Sequence, residues 1–265
     1  MKRLLFSAVT FYFLLMSAYC QGDLNEQQKV FFRNEKSFGF QLNSDGIGFS
    51  YRTARRTDYL NKNIIEYEFG TIKHPKEYKL DNPYTPGSSF VFGKLNFPVY
   101  LRASIGRQSE LYKKADLGGV SIRLFYSGGP VLAVYKPIYY KVIYPVSLSE
   151  YYLKEEKFNT NIAIPQDIWG KASFIKGLNE VKVMPGIYGK GGFSFEYSKE
   201  DKVIHAIDVG ATLSAYLKEI PIMASSDNKS VFFSLFVSYR FGVVVNPLDP
   251  ESSKVSSLFR RKKQY

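Results

Sequence analysis

Val231-Phe232-Phe233-Ser234-Leu235-Phe236-Val237-Ser238-Tyr239-Arg240-Phe241 is the stretch whose reading decides the fold. Successive side chains of an extended strand point to opposite faces. Val231, Phe233, Leu235, Val237, Tyr239 and Phe241 therefore share one face, and Phe232, Ser234, Phe236, Ser238 and Arg240 share the other. One face is wholly apolar, while the other carries small polar groups and a full charge. A single such strand suits a soluble sandwich as well as a barrel. The decision rests on how many segments follow the same period of two.

Many do. Phe38 to Leu42, Ile47 to Tyr51, Ile65 to Phe69, Val99 to Ile105, Val120 to Tyr126, Ile187 to Tyr197 and Ile207 to Leu217 all alternate apolar with polar or small residues. In all, nine segments between Ser37 and Val244 read as strands. A weaker one at Gln28 to Phe32 would make ten, and eight remains open. Arg52, Glu66, Glu68, Arg102, Arg123, Lys190, Glu196, Asp208 and Arg240 all fall on the polar faces. In a soluble sandwich those charges would face water; in a membrane barrel they face the lumen, with the apolar faces against lipid. The strand lengths, 22 Phe and 21 Tyr favour the barrel.

The N-terminus points the same way. Lys2 and Arg3, the apolar run Leu4 to Met16 and the polar stretch from Gln21 read as a cleaved secretory signal over residues 1–21. Cys20 is the lone cysteine, so no intramolecular disulfide can form. The bulky Tyr19 before it favours ordinary cleavage over lipidation. No later stretch approaches the roughly 20 apolar residues of a spanning helix. An exported membrane protein without such a helix must cross as a closed barrel.

The reading is thus an all-β, antiparallel, up-and-down transmembrane barrel of eight to ten strands with a long extracellular loop. Residues 22–36 form a periplasmic segment or first strand, 37–245 the outer-membrane barrel and 246–265 a basic periplasmic tail. Short turns at Asn43 to Gly46, Ser127 to Pro130 and Ser198 to Lys202 are placed on the periplasmic side with both termini. Ala54 to Lys62, Gln108 to Asp116, Tyr140 to Val183 and Lys218 to Lys229 are placed outside. His74 to Asn96 breaks the alternation and reads as an unusual periplasmic segment.

Chemistry is sparse. The two histidines, His74 and His205, both fall near the periplasmic rim without a compelling Ser or Asp partner. Two separated histidines and one cysteine make no metal cluster, and no cofactor motif occurs. Catalytic, cofactor and metal residues are all expected to be absent. The long loop is more informative: Tyr144, Tyr151, Tyr152, Trp169 and Phe174 are too apolar for a chain waving in water. They read as a cap over the barrel mouth, a surface for a neighbouring protein or an extracellular ligand site. Arg260, Arg261, Lys262 and Lys263 make a basic end that reads either as a disordered, solubilising tail or as a periplasmic contact for an acidic partner or anionic headgroups. With a formal charge of +12, an exported chain is expected to meet outer-membrane lipid, lipopolysaccharide and other outer-membrane or periplasmic proteins rather than nucleic acid.

The closing Phe232 to Phe241 strand resembles the aromatic-ended strand that outer-membrane proteins offer to the barrel-assembly machinery. With Tyr19-Cys20-Gln21 and the Gly46-Ile47-Gly48-Phe49-Ser50-Tyr51-Arg52 hairpin, the chain resembles small outer-membrane β-barrel proteins of the Bacteroidetes. That resemblance implies an integral outer-membrane protein and no particular activity. The expectation is a non-enzymatic structural or accessory subunit of an outer-membrane secretion or insertion assembly. A narrow solute channel and a lipid-modifying barrel enzyme are the alternatives.

Overall fold

The alternating segments pair into a closed ring. The computed structural model describes residues 34–245, apart from 83, 85–88, 116–117, 148–149, 160–161, 163, 200–201 and 226–227. It contains thirteen strands: β1 (Asn34–Asn43), β2 (Gly46–Arg56), β3 (Asn61–Thr71), β4 (Lys79–Asp81), β5 (Ser89–Val91), β6 (Asn96–Tyr112), β7 (Ser121–Pro137), β8 (Tyr139–Pro145), β9 (Tyr151–Lys157), β10 (Ile168–Lys171), β11 (Lys182–Glu196), β12 (Val203–Tyr216) and β13 (Val231–Val245). Eight of them, in the order β1-β2-β3-β6-β7-β11-β12-β13, form an antiparallel barrel. It closes where β13 pairs with β1, from Asn34 opposite Val245 to Asn43 opposite Phe236. Closure removes every sheet edge from the wall. Among the described residues no helix is long and apolar enough to cross a membrane.

Each of the eight barrel strands buries alternate residues over most of its length, and polar and charged side chains dominate the buried set along the middle of the wall. In β13, Ser234, Phe236, Ser238 and Arg240 are buried while Phe233, Leu235 and Val237 are exposed. Phe49, Tyr67, Ile105 and Ile187 are likewise exposed on other strands, with Ile105 at 73%. The wall is therefore apolar outside and charged inside, the reverse of a soluble barrel.

Eight strands, not nine, make the ring. The expected turn at Ser127 to Pro130 lies within β7, which runs unbroken for 17 residues. Neither Gly128 nor Gly129 has the positive φ that a tight turn takes from glycine; among the described residues only Gly46, Gly93 and Gly177 do. Gly129 instead lets β6 approach closely, since a side chain there would meet the Ala103 carbonyl. The tenth segment, Gln28 to Phe32, lies outside the described residues.

Losing that turn reverses the ends assigned to everything before it. The connections 57–60, 113–120 and 197–202 share one end with Asn34 and Val245, while 44–45, 72–95, 138–181 and 217–230 share the other. Ala54 to Lys62 and Gln108 to Asp116 are thus at the terminus end, not the opposite one. Asn43 to Gly46 and His74 to Asn96 join the long connections at the far end: Lys73 N donates to Asp45 O, and Leu95 N to Ile222 O at 2.9 Å.

Those long connections fold together as a cap. β4 and β5 form a hairpin, and β10-β8-β9 form a three-stranded sheet. Phe90, Tyr140, Val142, Ile162 and Ile168 make one core of the cap. Tyr140 Oη donates to Val91 O (2.9 Å) and Lys94 O (3.0 Å), and Lys94 pairs with Glu77. Beneath them Ile72, Tyr100, Val131, Ala133, Tyr188, Tyr216, Ile220 and Ile222 close the barrel mouth with apolar side chains.

Tyr100 is seated where two strands carry no side chain. A Cβ on Gly70 would lie 2.5 Å from Tyr100 Cζ and from the Ile47 carbonyl oxygen. The ring hydroxyl accepts from Asn43 Nδ2 at 3.0 Å. Gly70→Val is therefore expected to destabilise the barrel by about 1–3 kcal/mol through overpacking. A urea midpoint equal to wild type would show that Tyr100 has room to move.

Candidate functional site

The lumen is built by strands that are apolar outward and must place their polar residues inside. All nine charged residues picked out by alternation lie there and are buried. Arg52 Nη2 donates to both Glu66 oxygens (3.0 and 2.9 Å), and Nη1 donates to Asp208 at 3.2 Å. Arg240 also donates to Asp208, and to Ser194 at 3.0 Å. Lys190 bridges Glu66 (3.4 Å) and Glu68, and Arg102 reaches Glu68 at 3.3 Å. Arg123 pairs with Glu196. Burial at this depth is tolerated when charges are paired and their hydrogen bonds met.

Alternation missed members of the same network. Glu35 pairs with Lys62 and, at 3.3 Å, with Arg123. Lys114 reaches Glu196 at 3.2 Å, and Arg56 reaches Glu110 at 3.4 Å. Glu35 falls between the weak Gln28 to Phe32 segment and the first clear strand at Ser37, and Lys62 and Lys114 sit in expected loops, so no period marks their face. Aromatic rings fill the remaining space. The Arg52 guanidinium lies 4.6 Å from the Phe125 ring centre, and Lys190 Nζ lies 4.7 Å from that of Phe236. Cation–π contacts of this kind strengthen when desolvated.

The second candidate region is the cap. Tyr144 stacks on Tyr152 (5.4 Å between centres), Trp169 on Tyr84 (5.1 Å) and Tyr151 on Trp169 (5.9 Å). Tyr151 and Tyr152 are half exposed all the same. Phe174 lies apart, edge-on to Phe97 and beneath the Lys136 ammonium. Ion pairs tie the cap sheet to the segment after it, Lys176 with Glu155 and Lys157 with Glu180. The neighbouring ammonium holds each of these carboxyls below its ordinary range, and the Tyr139 hydroxyl adds to the effect at Glu180. Burial lowers the Lys171 ammonium, and Lys79 and Lys94 lower it further. Arg260 to Lys263 lie outside the described residues.

The histidines are at opposite ends of the molecule. His205 Nδ1 is 2.8 Å from the Tyr239 hydroxyl on the outer wall near the terminus end. His74 is buried in the cap, where its Nδ1 accepts from the Lys76 amide and its own amide donates to Glu77. This corrects the expectation that both lie at the terminus rim. Among the described residues no group of three or more His, Cys, Asp or Glu could hold a metal.

No protein-family model matches the chain, and no curated protein is similar to it. Among solved structures it is similar to Ail, the attachment invasion locus protein of Yersinia pestis, in complex with the heparin analogue sucrose octasulfate. That match has 8% identity and a TM-score of 0.37, and covers 80% of this chain and 96% of that one. A further Ail structure (9% identity, TM-score 0.34) and Neisserial surface protein A (10% identity, TM-score 0.34) cover the same shares. The likeness is loose, and the barrel assignment rests on this chain's own strand pairing.

Proposed function

We propose that the chain is an integral outer-membrane β-barrel that acts without catalysis, as a structural or accessory subunit of an outer-membrane secretion or insertion assembly. The observation that carries the membrane reading is the inverted wall, with apolar side chains outward and buried ion pairs inward. Water would leave that outer surface uncovered, whereas lipid covers it. The long connections gather at the end opposite the termini, which supports periplasmic termini and an external cap. Outer-membrane lipid and lipopolysaccharide surround the wall. The ordered cap, with its half-exposed aromatic stacks, is the surface offered to a protein partner, and Arg260 to Lys263 offer a second on the periplasmic side.

The lumen argues against transport. Its section is filled by Arg52, Glu66, Lys190, Asp208 and Arg240 in mutual contact, below an apolar closure at the mouth. In planar bilayers the purified protein is expected to add no steady conductance. Discrete, lasting conductance steps would favour a narrow solute channel.

The subunit reading is tested by tagging the C-terminus, extracting native outer membranes in mild detergent and identifying what co-purifies in stoichiometric amounts. A defined partner set, reduced by Trp169→Ala or Tyr151→Ala in the cap, is the expected result. A lone, monodisperse barrel overturns it.

A further inference from the structure

The barrel wall has no open sheet edge, but the three-stranded cap sheet has two edge strands, the four-residue β10 and the longer β9. β9 is one outer strand of the order β10-β8-β9, and all its residues except Glu156 are exposed. The hydrogen-bond pattern shows which of its backbone groups are free. Val146 N donates to Glu150 O at 2.9 Å, and the register continues through Tyr144 opposite Tyr152 and Val142 opposite Lys154. Bonded and non-bonded pairs alternate along an antiparallel ladder. Tyr152, Lys154 and Glu156 therefore turn their N–H and C=O groups toward β8. Tyr151, Leu153, Glu155 and Lys157 turn theirs away. The other side of β8 agrees, since Tyr139 O accepts from Ala172 N on the β10 side at 2.9 Å.

Exposed edges are commonly guarded by charges that stand across them. Here each charge of β9 has an ion-pair partner. Lys154 pairs with Glu156 (3.5 Å), Glu155 with Lys176, and Lys157 with Glu180. At the other end of the strand, Tyr151 and Leu153 are exposed on one face, where Tyr151 continues the Trp169–Tyr84 stack, and Tyr152 is half exposed on the other face, stacked on Tyr144.

We propose that β9 is a docking edge that takes an extended segment of a different polypeptide as a fourth strand of the cap sheet; this rests on the subunit reading above. A row of outward N–H and C=O groups at strand spacing is matched by another extended backbone. A second copy of this chain is disfavoured by charge. Antiparallel self-pairing along the whole of β9 sets Tyr151 opposite Lys157 and Lys154 opposite Lys154. Like charges directly opposite one another destabilise a ladder. The fitting partner carries an acidic or neutral residue opposite Lys154 and apolar residues opposite Tyr152 and Leu153.

The test compares amide hydrogen exchange of the full chain in native outer-membrane vesicles and after purification in mild detergent, resolved to single residues. The amides of Tyr152, Lys154 and Glu156 are expected to be slow in both. Those of Leu153 and Glu155 are expected to be at least about tenfold slower in vesicles than in detergent. Equal, fast exchange at Leu153 and Glu155 in both preparations overturns the proposal. Protection that persists in detergent and disappears on dilution assigns the edge to a second copy and also overturns it. In a second arm, Leu153→Pro removes an outward donor and spares the ladder to β8, with Leu153→Ala as control. Recovery of the stoichiometric partner is expected to fall about tenfold or more with the proline alone, the loss that 1.4 kcal/mol of binding free energy corresponds to. Undiminished recovery refutes the docking edge and leaves the subunit reading standing, whereas a wild-type chain that recovers nothing refutes the subunit reading itself.

Discussion

Arg52→Ala is expected to lower the stability of the folded barrel by about 3–5 kcal/mol, the range for breaking a buried ion pair from one side. Arg52 is 1% exposed and holds three carboxylate oxygens, two from Glu66 and one from Asp208. Alanine leaves Glu66 with Lys190 alone, at 3.4 Å, and Asp208 with Arg240. It also opens space beside Phe125, over which the guanidinium lies. The cost comes from stranding carboxylates in a closed interior rather than from the pair's own worth, which desolvation largely offsets. The natural control is Arg107, whose contact with Asp58 at 3.6 Å is about half exposed on both sides. Arg107→Ala is expected to change stability by about 1 kcal/mol or less. Urea titration of the folded form, followed by its gel mobility without heating, compares the two. A similar midpoint for both variants would mean that water reaches the lumen and screens the network.

Val237→Arg tests the other side of the wall. Val237 lies midway along β13, opposite Leu42 on β1 and Val209 on β12, and is 50% exposed. In a soluble protein such a surface change would stay within about 0.5 kcal/mol. At the midplane of a bilayer, arginine on the lipid face costs about 2–4 kcal/mol. The variant is expected to reach the outer membrane in reduced amount and to unfold at lower urea. Ser238, one residue on, faces the lumen and serves for contrast through Ser238→Ala. A wild-type yield and midpoint for Val237→Arg would place the outer wall in water and remove the ground for the membrane reading.

Much of this architecture was legible because alternation is a local property. Whether Val237 and Ser238 fall on opposite faces depends only on an extended backbone, so the two faces of each strand could be read without knowing their neighbours. The errors arose where local chemistry had two readings. Ser127-Gly128-Gly129-Pro130 has the composition of a turn, yet in β7 these residues stay extended, because Gly129 is needed where β6 comes close. A turn at that one place reverses the end of the barrel on which His74 to Asn96 and the connections around it fall. Glu35, Lys62 and Lys114 were missed because they stand at strand ends or in connections, where no period marks a face.

The cap was legible only in composition. Its aromatic residues announced that the long loop could not be bare, but stacking Tyr84 on Trp169 and Trp169 on Tyr151 joins three separate segments. The sequence by itself determined that the strands are two-faced and that their charges share one side; ring closure decided that the charged side points inward and the apolar side outward. Tertiary structure decided the strand number, which connections share an end, and which charge meets which. Arg52 and Asp208 are 156 residues apart along the chain and become partners only when β13 closes on β1. Ring closure is a property of all eight strands together, and no single stretch of sequence contains it.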